Sequence, residues 1–164
     1  MSRKPHPRVF VRVSEEELRE SGFWKEPKRL LVREDHGFRE LVASSPTDLP
    51  PSATVYAQIN YDDYRRIIDL ESSTVVADVV FKTPRGLFAM EKGSKLVLIE
   101  LKGRDVRVFK EVGEEVREGE KIAQTLSRKF VVRTIRSPIA GTLLYVTQML
   151  DREGAYLLAI APKG

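Results

Sequence analysis

The sequence contains no cysteine and only two histidines among its 164 residues. Without a thiol, a chain has no disulfide, no thiolate-bound metal, no iron–sulfur cluster and no cysteine nucleophile. His6 and His36 both stand in polar, loop-like surroundings near the N-terminus, which is typical of surface histidines. We therefore expect no metal site, no Ser-His-Asp triad and no catalytic residues.

The sequence also lacks long apolar runs. None approaches the ~20 residues that a membrane-spanning helix needs, so we expect no membrane span. The opening residues, MSRKPHPRVFVRV, are positively charged but contain no apolar signal segment, which favours a cytoplasmic location. Asparagine occurs once and glutamine three times, whereas Glu, Lys and Arg are abundant. This composition is typical of thermophilic proteins.

The charge of the chain is positive overall and uneven along its length. The formal net charge is +4, with −1 over residues 1–75 and +5 over residues 76–164. A basic excess of this size can attract acidic partners. No pattern of basic and aromatic residues typical of RNA or DNA binding accompanies it, so we expect a solvated surface rather than a nucleic-acid interface.

Residues 1–74 are expected to form a small α+β unit. Ser14 and Glu17 have the spacing of a capping box, which predicts a helix near 14–22. A second short helix is expected near 62–69, capped by Asp62 or Asp63. A loop is expected at the proline-rich residues 44–52. Alternating or β-branched residues predict strands at 9–13, 29–34, 38–44 and 53–59.

The pattern of apolar and polar residues over 75–164 differs from that of the first half and predicts an all-β domain. Short apolar or alternating stretches such as KLVLIEL, KIAQTL, GTLLYV and YLLAIAP are separated by turns rich in glycine and charge. No helical cap or 3.6-residue period interrupts them. Several short strands at this spacing indicate a barrel or a sandwich.

Within this region, two glycines six residues apart each precede a branched apolar residue by three positions: Gly113 with Val116, and Gly119 with Ile122. Glycine permits the tight backbone of a turn, and the branched residues are expected to enter the interior between two small sheets. Lys129 follows the second glycine by ten residues, and a Ser-Pro-Ile-Ala-Gly segment begins eight residues later.

This arrangement resembles the biotinyl and lipoyl carrier domain family, whose G-(D/E)-x-V-x-x-G-(D/E)-x-(L/I) turn matches residues 113–122. Residues 137–143 resemble the family's A-P-x-x-G-x-V segment, residues 154–160 resemble its closing G-x-x-L-x-x-I, and residues 83–87 weakly echo the Ser-Pro…Gly pattern. The resemblance implies a barrel-sandwich hybrid fold with two similar halves. It predicts burial of Val116, Ile122, Ile135, Leu143, Leu157 and Ile160. The whole chain also resembles an uncharacterised archaeal family in which such a domain follows a small N-terminal region.

In the resembled family, a lysine at the tip of a β-hairpin carries biotin or lipoate, and Lys129 falls at that position. Its neighbours differ, however, because Arg128 and Phe130 stand where biotin acceptors have methionines and lipoyl acceptors usually have Asp and Ala. We interpret the domain as an unmodified interaction or adaptor module without a cofactor. The alternative is a carrier protein with biotin or lipoate attached to Lys129.

Two further departures from the family bear on the hairpin. The segment from Lys129 to Pro138 is one residue longer than usual, so the return arm must bulge or the tip must widen. An extra hairpin is expected near 90–108. The candidate interaction residues are Arg128, Lys129, Phe130 and Arg133, and their charge suits an unknown protein partner or a homo-oligomer.

An enzyme is the third class considered. Asp62 and Asp63 form a carboxylate pair that can do acid–base work or bind a hard cation, but aspartates at a helix start are more often caps. Residues 91–95 contain a glycine and two lysines without the spacing of a phosphate-binding loop. We therefore expect no enzymatic activity.

Overall fold

The computed structural model describes residues 6–163, which form one α-helix, three short 3-10 turns and fifteen strands. The helix α1 spans Glu15–Arg19, and the 3-10 turns span Ser21–Trp24, Pro46–Asp48 and Tyr64–Arg66. The strands are β1 (Arg8–Val13), β2 (Lys28–Glu34), β3 (Gly37–Ala43), β4 (Val55–Ile59), β5 (Ile68–Asp69), β6 (Thr74–Val75), β7 (Val79–Thr83), β8 (Gly86–Met90), β9 (Val97–Lys102), β10 (Asp105–Val108), β11 (Glu115–Val116), β12 (Lys121–Leu126), β13 (Val132–Arg136), β14 (Gly141–Gln148) and β15 (Ala155–Pro162).

Strand β1 lies inside a six-stranded sheet with the order β3-β2-β4-β1-β7-β8. Val9 opposes Ile59 of β4 on one side and Phe81 of β7 on the other, both in antiparallel register. The sheet curls strongly, since the Glu40 carboxylate on β3 lies 2.7 Å from the Lys82 ammonium on β7 although three strands lie between them. Its concave face buries Phe10, Leu31, Tyr56 and Val80. Strands β7 and β8 thus share a sheet with β1–β4, and a domain division at residue 74 stays a prediction.

The N-terminal half contains less helix than expected. The capping box is present, because the Ser14 hydroxyl accepts from the Glu17 amide and Glu17 reaches back, but α1 ends after five residues. The helix expected near 62–69 is absent: a single 3-10 turn over Tyr64–Arg66 leads directly into β5, and the Asp63 side chain does not cap it. Within residues 6–163, no helix is long and apolar enough to cross a bilayer.

The four-stranded sheet, with the order β11-β14-β15-β9, is buried on both faces. Along β15, Leu157 and Ala159 pack with residues of the six-stranded sheet, whereas Leu158 and Ile160 pack with the three-stranded sheet of order β10-β12-β13. This is why the strand is almost continuously apolar rather than alternating. Strand β14 likewise packs into both cores. A bulge after Leu143 shifts its register, so the residues on the two sides of the bulge enter different cores.

The all-β architecture expected for the C-terminal half is confirmed. Five of the six residues predicted to be buried are buried: Val116, Ile122, Leu143, Leu157 and Ile160. Ile135 is only partly buried, because β13 is the outer strand of the three-stranded sheet and covers the core from one side.

The segment expected to form an extra hairpin near 90–108 is built differently. Strands β9 and β10 follow one another around Gly103, but β9 pairs with β15 and β10 pairs with β12. The turn therefore carries the chain from one sheet to the other. Gly103 suits this crossing because a Cβ there would lie 2.9 Å from the Leu126 carbonyl oxygen.

Candidate functional site at the hairpin tip

Strands β12 and β13 form a hairpin whose tip carries the candidate lysine. Leu126 opposes Val132 across the hairpin, so the connecting loop comprises residues 127–131 and Lys129 is its central residue. Lys129 is exposed, as are its neighbours Arg128 and Phe130. The structure thus places the lysine at the apex of the hairpin.

The tip loop is held by its own hydrogen bonds. The Ser127 amide donates to the Val131 carbonyl at 3.0 Å, and the Phe130 amide donates to the Ser127 carbonyl at 3.0 Å. The Ser127 hydroxyl accepts from the Val131 amide at 3.1 Å. Phe130 adopts a left-handed backbone with φ of 60°, a conformation that is unfavourable for a large side chain. The loop is therefore a defined structure with local strain.

The bulge that the sequence allowed on the return arm is absent from β13. The return arm β13 is regular in its register, whereas the only shift in this hairpin lies on β12 between Lys121 and Ala123. The bulge instead occurs on the outgoing arm, next to the second glycine turn, and the loop at the tip has five residues.

The tip exposes consecutive apolar side chains. Phe130 is 70% exposed, Val131 62% and Val132 57%. The Arg104 guanidinium lies 5.4 Å from the centre of the Phe130 ring, at a cation–π distance. Three adjacent large apolar residues in water are unusual for a hairpin end and typical of a protein-binding surface.

The electrostatic environment of the hairpin is one-sided. No Asp or Glu occurs between Glu120 and Asp151, whereas this stretch contains Lys121, Arg128, Lys129, Arg133 and Arg136. Arg128 has a long contact of 3.9 Å with Glu153, both exposed, which contributes little to stability. The Arg136 guanidinium donates to the Gly119 carbonyl at 2.9 Å. Among the described residues, Lys129 and Arg133 have no acidic partner.

An open groove of about 650 Å³ lies beside the tip. The turn from β9 to β10 forms one wall with Lys102 and Arg104, and the start of the tip loop forms another with Arg128. Glu153 is the one carboxylate of its lining. The groove extends the basic character of the tip, and no aromatic or branched aliphatic residue belongs to its lining.

The two glycine turns that support the hairpin are built alike. The Glu114 carboxylate accepts from the Glu111 amide at 2.8 Å, and the Glu120 carboxylate accepts from the Arg117 amide at 2.9 Å. The Glu111 amide holds the pKa of Glu114 below its usual value. The residue after each glycine therefore closes its turn with a carboxylate, and each glycine has a positive φ.

A polar cluster that sequence reasoning missed joins the N-terminal half to β14 and the turn after it. The Tyr64 hydroxyl donates to Asp151 at 2.8 Å, and the Thr147 hydroxyl donates to Asp62 at 2.7 Å. The Tyr145 hydroxyl donates to the Tyr61 carbonyl. Burial raises the pKa of both Tyr61 and Tyr145. No sequence pattern identifies such a cluster, because its members are more than 80 residues apart.

The two carboxylates considered for catalysis differ in their contacts, because only Asp62 is hydrogen-bonded within this cluster. Asp62 is engaged by Thr147, whereas the Asp63 side chain makes no cap. The Tyr61 hydroxyl, near the Val146 backbone, is buried and finds no partner with hydrogen-bond geometry among the described residues. His6 and His36 are exposed, and residues 6–163 contain no cluster of three or more His, Cys, Asp or Glu side chains arranged to hold a metal.

These features define a mostly β protein with an exposed hairpin tip that is both basic and apolar. Residues 5–163 match the family described as an uncharacterized protein conserved in archaea (DUF2118), and the chain belongs to that family. A similar protein is the uncharacterized protein MJ0859 of Methanocaldococcus jannaschii, which is 24% identical over 161 residues. The alignment covers 96% of this chain and 92% of that relative. Membership of an uncharacterised archaeal family is thereby confirmed.

Proposed function

We propose that the protein is a cytoplasmic, non-enzymatic interaction module whose hairpin tip binds a partner protein. In this proposal residues 75–164 form a barrel-sandwich domain of the biotinyl/lipoyl-like type. The domain presents Arg128, Lys129, Phe130 and Arg133 without a prosthetic group. The observation that carries the proposal is the run of three exposed apolar side chains at the tip, Phe130 to Val132.

Two matching turns support the barrel-sandwich part of the proposal. The Thr83 hydroxyl accepts from the Arg85 amide, and the Ser137 hydroxyl accepts from the amide of Ile139, again two residues on. Both hydroxyls are buried, and a proline follows each. Each turn also adjoins one of the two glycine turns. A Cβ on Gly113 would clash with the Thr83 side chain, and the Gly119 amide donates to the Ser137 carbonyl at 2.8 Å. Two such pairs are what two similar halves would give.

The residues around Lys129 fit covalent attachment in position but not in chemistry. The lysine is exposed and central in its loop, as an attachment site requires. The lining of the adjacent groove, however, contains no aromatic or branched aliphatic residue that could pack against a lipoyl or biotinyl ring. The flanking Arg128 and Phe130 also differ from the residues that mark acceptors in the resembled family. The carrier function on Lys129 is therefore the second candidate.

The mass of the intact protein purified from its native host separates the two candidates. We expect the mass of the bare chain. An added biotinyl or lipoyl mass that disappears in the Lys129→Ala variant would establish the carrier instead.

Site-specific photo-crosslinking tests the interaction itself. A benzophenone side chain at position 130 should capture a defined protein in native lysate, and the same group at position 42 is the matched control. Val42 is 59% exposed on β3 and lies outside the hairpin, so it reports the background of an exposed apolar site. Equal capture at both positions would contradict the proposal.

A further inference from the structure

The outer edge of β13 is open. This strand has β12 on one side and no strand on the other within the described residues. Val132, Arg133, Thr134 and Arg136 are all exposed, so neither a loop nor a helix covers the edge. An uncovered strand edge presents backbone donors and acceptors that another strand can pair with.

The hydrogen-bond pattern shows which residues face outward. Ser127 and Val131 are bonded across the start of the hairpin, and in an antiparallel ladder every second residue bonds to the same neighbour. Because Arg133 opposes Thr125 two residues further along, Arg133 and Ile135 bond towards β12. The backbone groups of Val132, Thr134 and Arg136 therefore point away from the sheet.

From these observations we infer that the open edge of β13 pairs with an extended acidic segment of a partner protein, which adds a fourth strand to the three-stranded sheet. The inference rests on the proposed function and specifies the partner's chemistry. Strand β13 has five residues, which span about 17 Å and pair with a segment of similar length. Such strand addition draws its affinity from main-chain hydrogen bonds and its specificity from side chains.

Charge selects an acidic strand over a second copy of this chain. Pairing two β13 edges would interleave Arg133 and Arg136 of one copy with the same residues of the other. No carboxylate would lie between them, because the chain has none from residue 121 to 150. Like charges on neighbouring strands are destabilising, whereas opposite charges are stabilising.

The register also sets the pattern of the partner. The partner strand would run antiparallel to β13. Its residue opposite Arg136 would therefore come three positions before its residue opposite Arg133. Its residue opposite Val132 would come one position after the residue opposite Arg133. The favoured segment is therefore acidic-x-x-acidic-apolar, with a β-branched residue suited to the position opposite Thr134.

Fluorescence polarisation with a labelled, end-blocked peptide tests the inference on the full chain. The probe is Glu-Val-Thr-Glu-Val-Thr-Glu, and the control peptide has lysine in place of each glutamate. We expect the acidic peptide to bind at least about tenfold more tightly than the lysine peptide, because a few charge-assisted contacts distinguish them. Equal binding of both peptides would overturn the inference.

Thr134→Pro removes the central outward amide without touching the ladder to β12, and proline is tolerated on such an edge. It should weaken peptide binding at least about tenfold, whereas Thr134→Val should bind like the wild type because it keeps the amide. Arg133→Glu should weaken binding and Lys25→Glu, an exposed control with the same charge change, should not. Unchanged binding by Thr134→Pro, with an unchanged circular dichroism spectrum, would overturn strand addition.

The outcomes also separate this inference from the proposed function. If position 130 captures a partner while the peptide does not bind, strand addition is wrong and the interaction module stands. If sedimentation shows a wild-type dimer that Thr134→Pro dissociates, the edge is occupied by a second copy and the acidic partner is wrong. If neither capture nor peptide binding occurs, both proposals fail.

Discussion

The Tyr64 hydroxyl donates a 2.8 Å hydrogen bond to the Asp151 carboxylate, although 87 residues separate the two in the chain. The other carboxylate oxygen accepts from the Arg65 guanidinium at 2.6 Å. Asp151, which follows β14, thus accepts hydrogen bonds from two consecutive residues of the N-terminal half. Because Tyr64 itself is buried, this contact fixes how the 3-10 turn sits against the C-terminal sheets.

We predict that Tyr64→Phe and Asp151→Asn affect stability through the same contact. Tyr64→Phe should lower the free energy of unfolding by about 1 kcal/mol, because it removes one hydrogen bond to a charged group while keeping the ring. The double variant should lose less than the two single losses added together. Urea unfolding of the four proteins measures this, and strictly additive losses would show that the two side chains act independently.

The two glycine turns should differ in their tolerance of a methyl group. A Cβ on Gly113 would clash with the Thr83 hydroxyl oxygen, whereas a Cβ on Gly119 would meet no atom within 4 Å. Both glycines have positive φ, at 94° and 81°. Gly119→Ala should therefore cost about 1 kcal/mol from backbone strain alone, and Gly113→Ala about 3 kcal/mol because overpacking is added. Equal losses in thermal unfolding would contradict this steric account.

We expect that Phe130 lowers the stability of the protein and is required for binding of the partner. Its left-handed backbone costs on the order of 1 kcal/mol, and its ring is mostly exposed, so Phe130→Gly should leave the melting temperature unchanged or raise it. The same variant should no longer bind the partner that the crosslinker at position 130 identifies, as measured by co-purification without a crosslinker. Phe130→Ala, which keeps the strain but removes the ring, is the matched control for stability. A lower melting temperature for the glycine variant than for the alanine variant would refute the strain.

Glu40 should give the curled sheet a pH-dependent stability. Its carboxylate lies 2.7 Å from Lys82, 3.3 Å from Arg8 and 3.6 Å from Arg29. Burial acts to raise its pKa, but the hydrogen bond from Lys82 and the three positive charges hold that pKa below its usual value. A carboxyl whose pKa is lower in the folded than in the unfolded state stabilises above the unfolded pKa of about 4.3.

Replacing Glu40 with glutamine removes this charge. At about pH 7 the Glu40→Gln variant should be less stable than the wild type by on the order of 1 to 2 kcal/mol. The difference should shrink as the pH falls through the folded pKa, where the wild-type carboxylate is protonated too. Urea unfolding at several pH values between about 3 and 7 checks the sign, and a difference that grows on acidification would exclude it.

Local signals in the sequence predicted local structure well. Ser14 and Glu17 identified the start of α1 because a capping box involves only neighbours in the chain. The helix expected near 62–69 was wrong for the opposite reason. Tyr64 and Ile67 are both buried in the core shared with β14 and β15, and this packing replaces the helical turn with a 3-10 turn and a strand. Tertiary contacts of this range leave no periodic trace in the sequence.

The candidate site shows the same division. Counting from Gly119 sufficed to place Lys129 at the hairpin tip, because strand length between a turn and a tip fixes where the tip falls. The sequence did not indicate the bulge on the outgoing arm or the left-handed backbone of Phe130, since both depend on how the two arms register. Whether Lys129 is modified stays a prediction.

The position of β1 inside the six-stranded sheet has a consequence for translation. Its first neighbour, β4, ends at Ile59, and its second, β7, is complete only at Thr83. At ~5–20 residues per second, a nascent chain waits several seconds between making β1 and making β7. During that interval β1 has both edges unpaired until β4 is made, and one edge unpaired until β7 is made. Ribosome-bound chains in which Thr83 has not left the ribosome should therefore be protease-sensitive and attract chaperones, whereas chains long enough for Met90 to leave it should be protected because β1 is then paired on both sides.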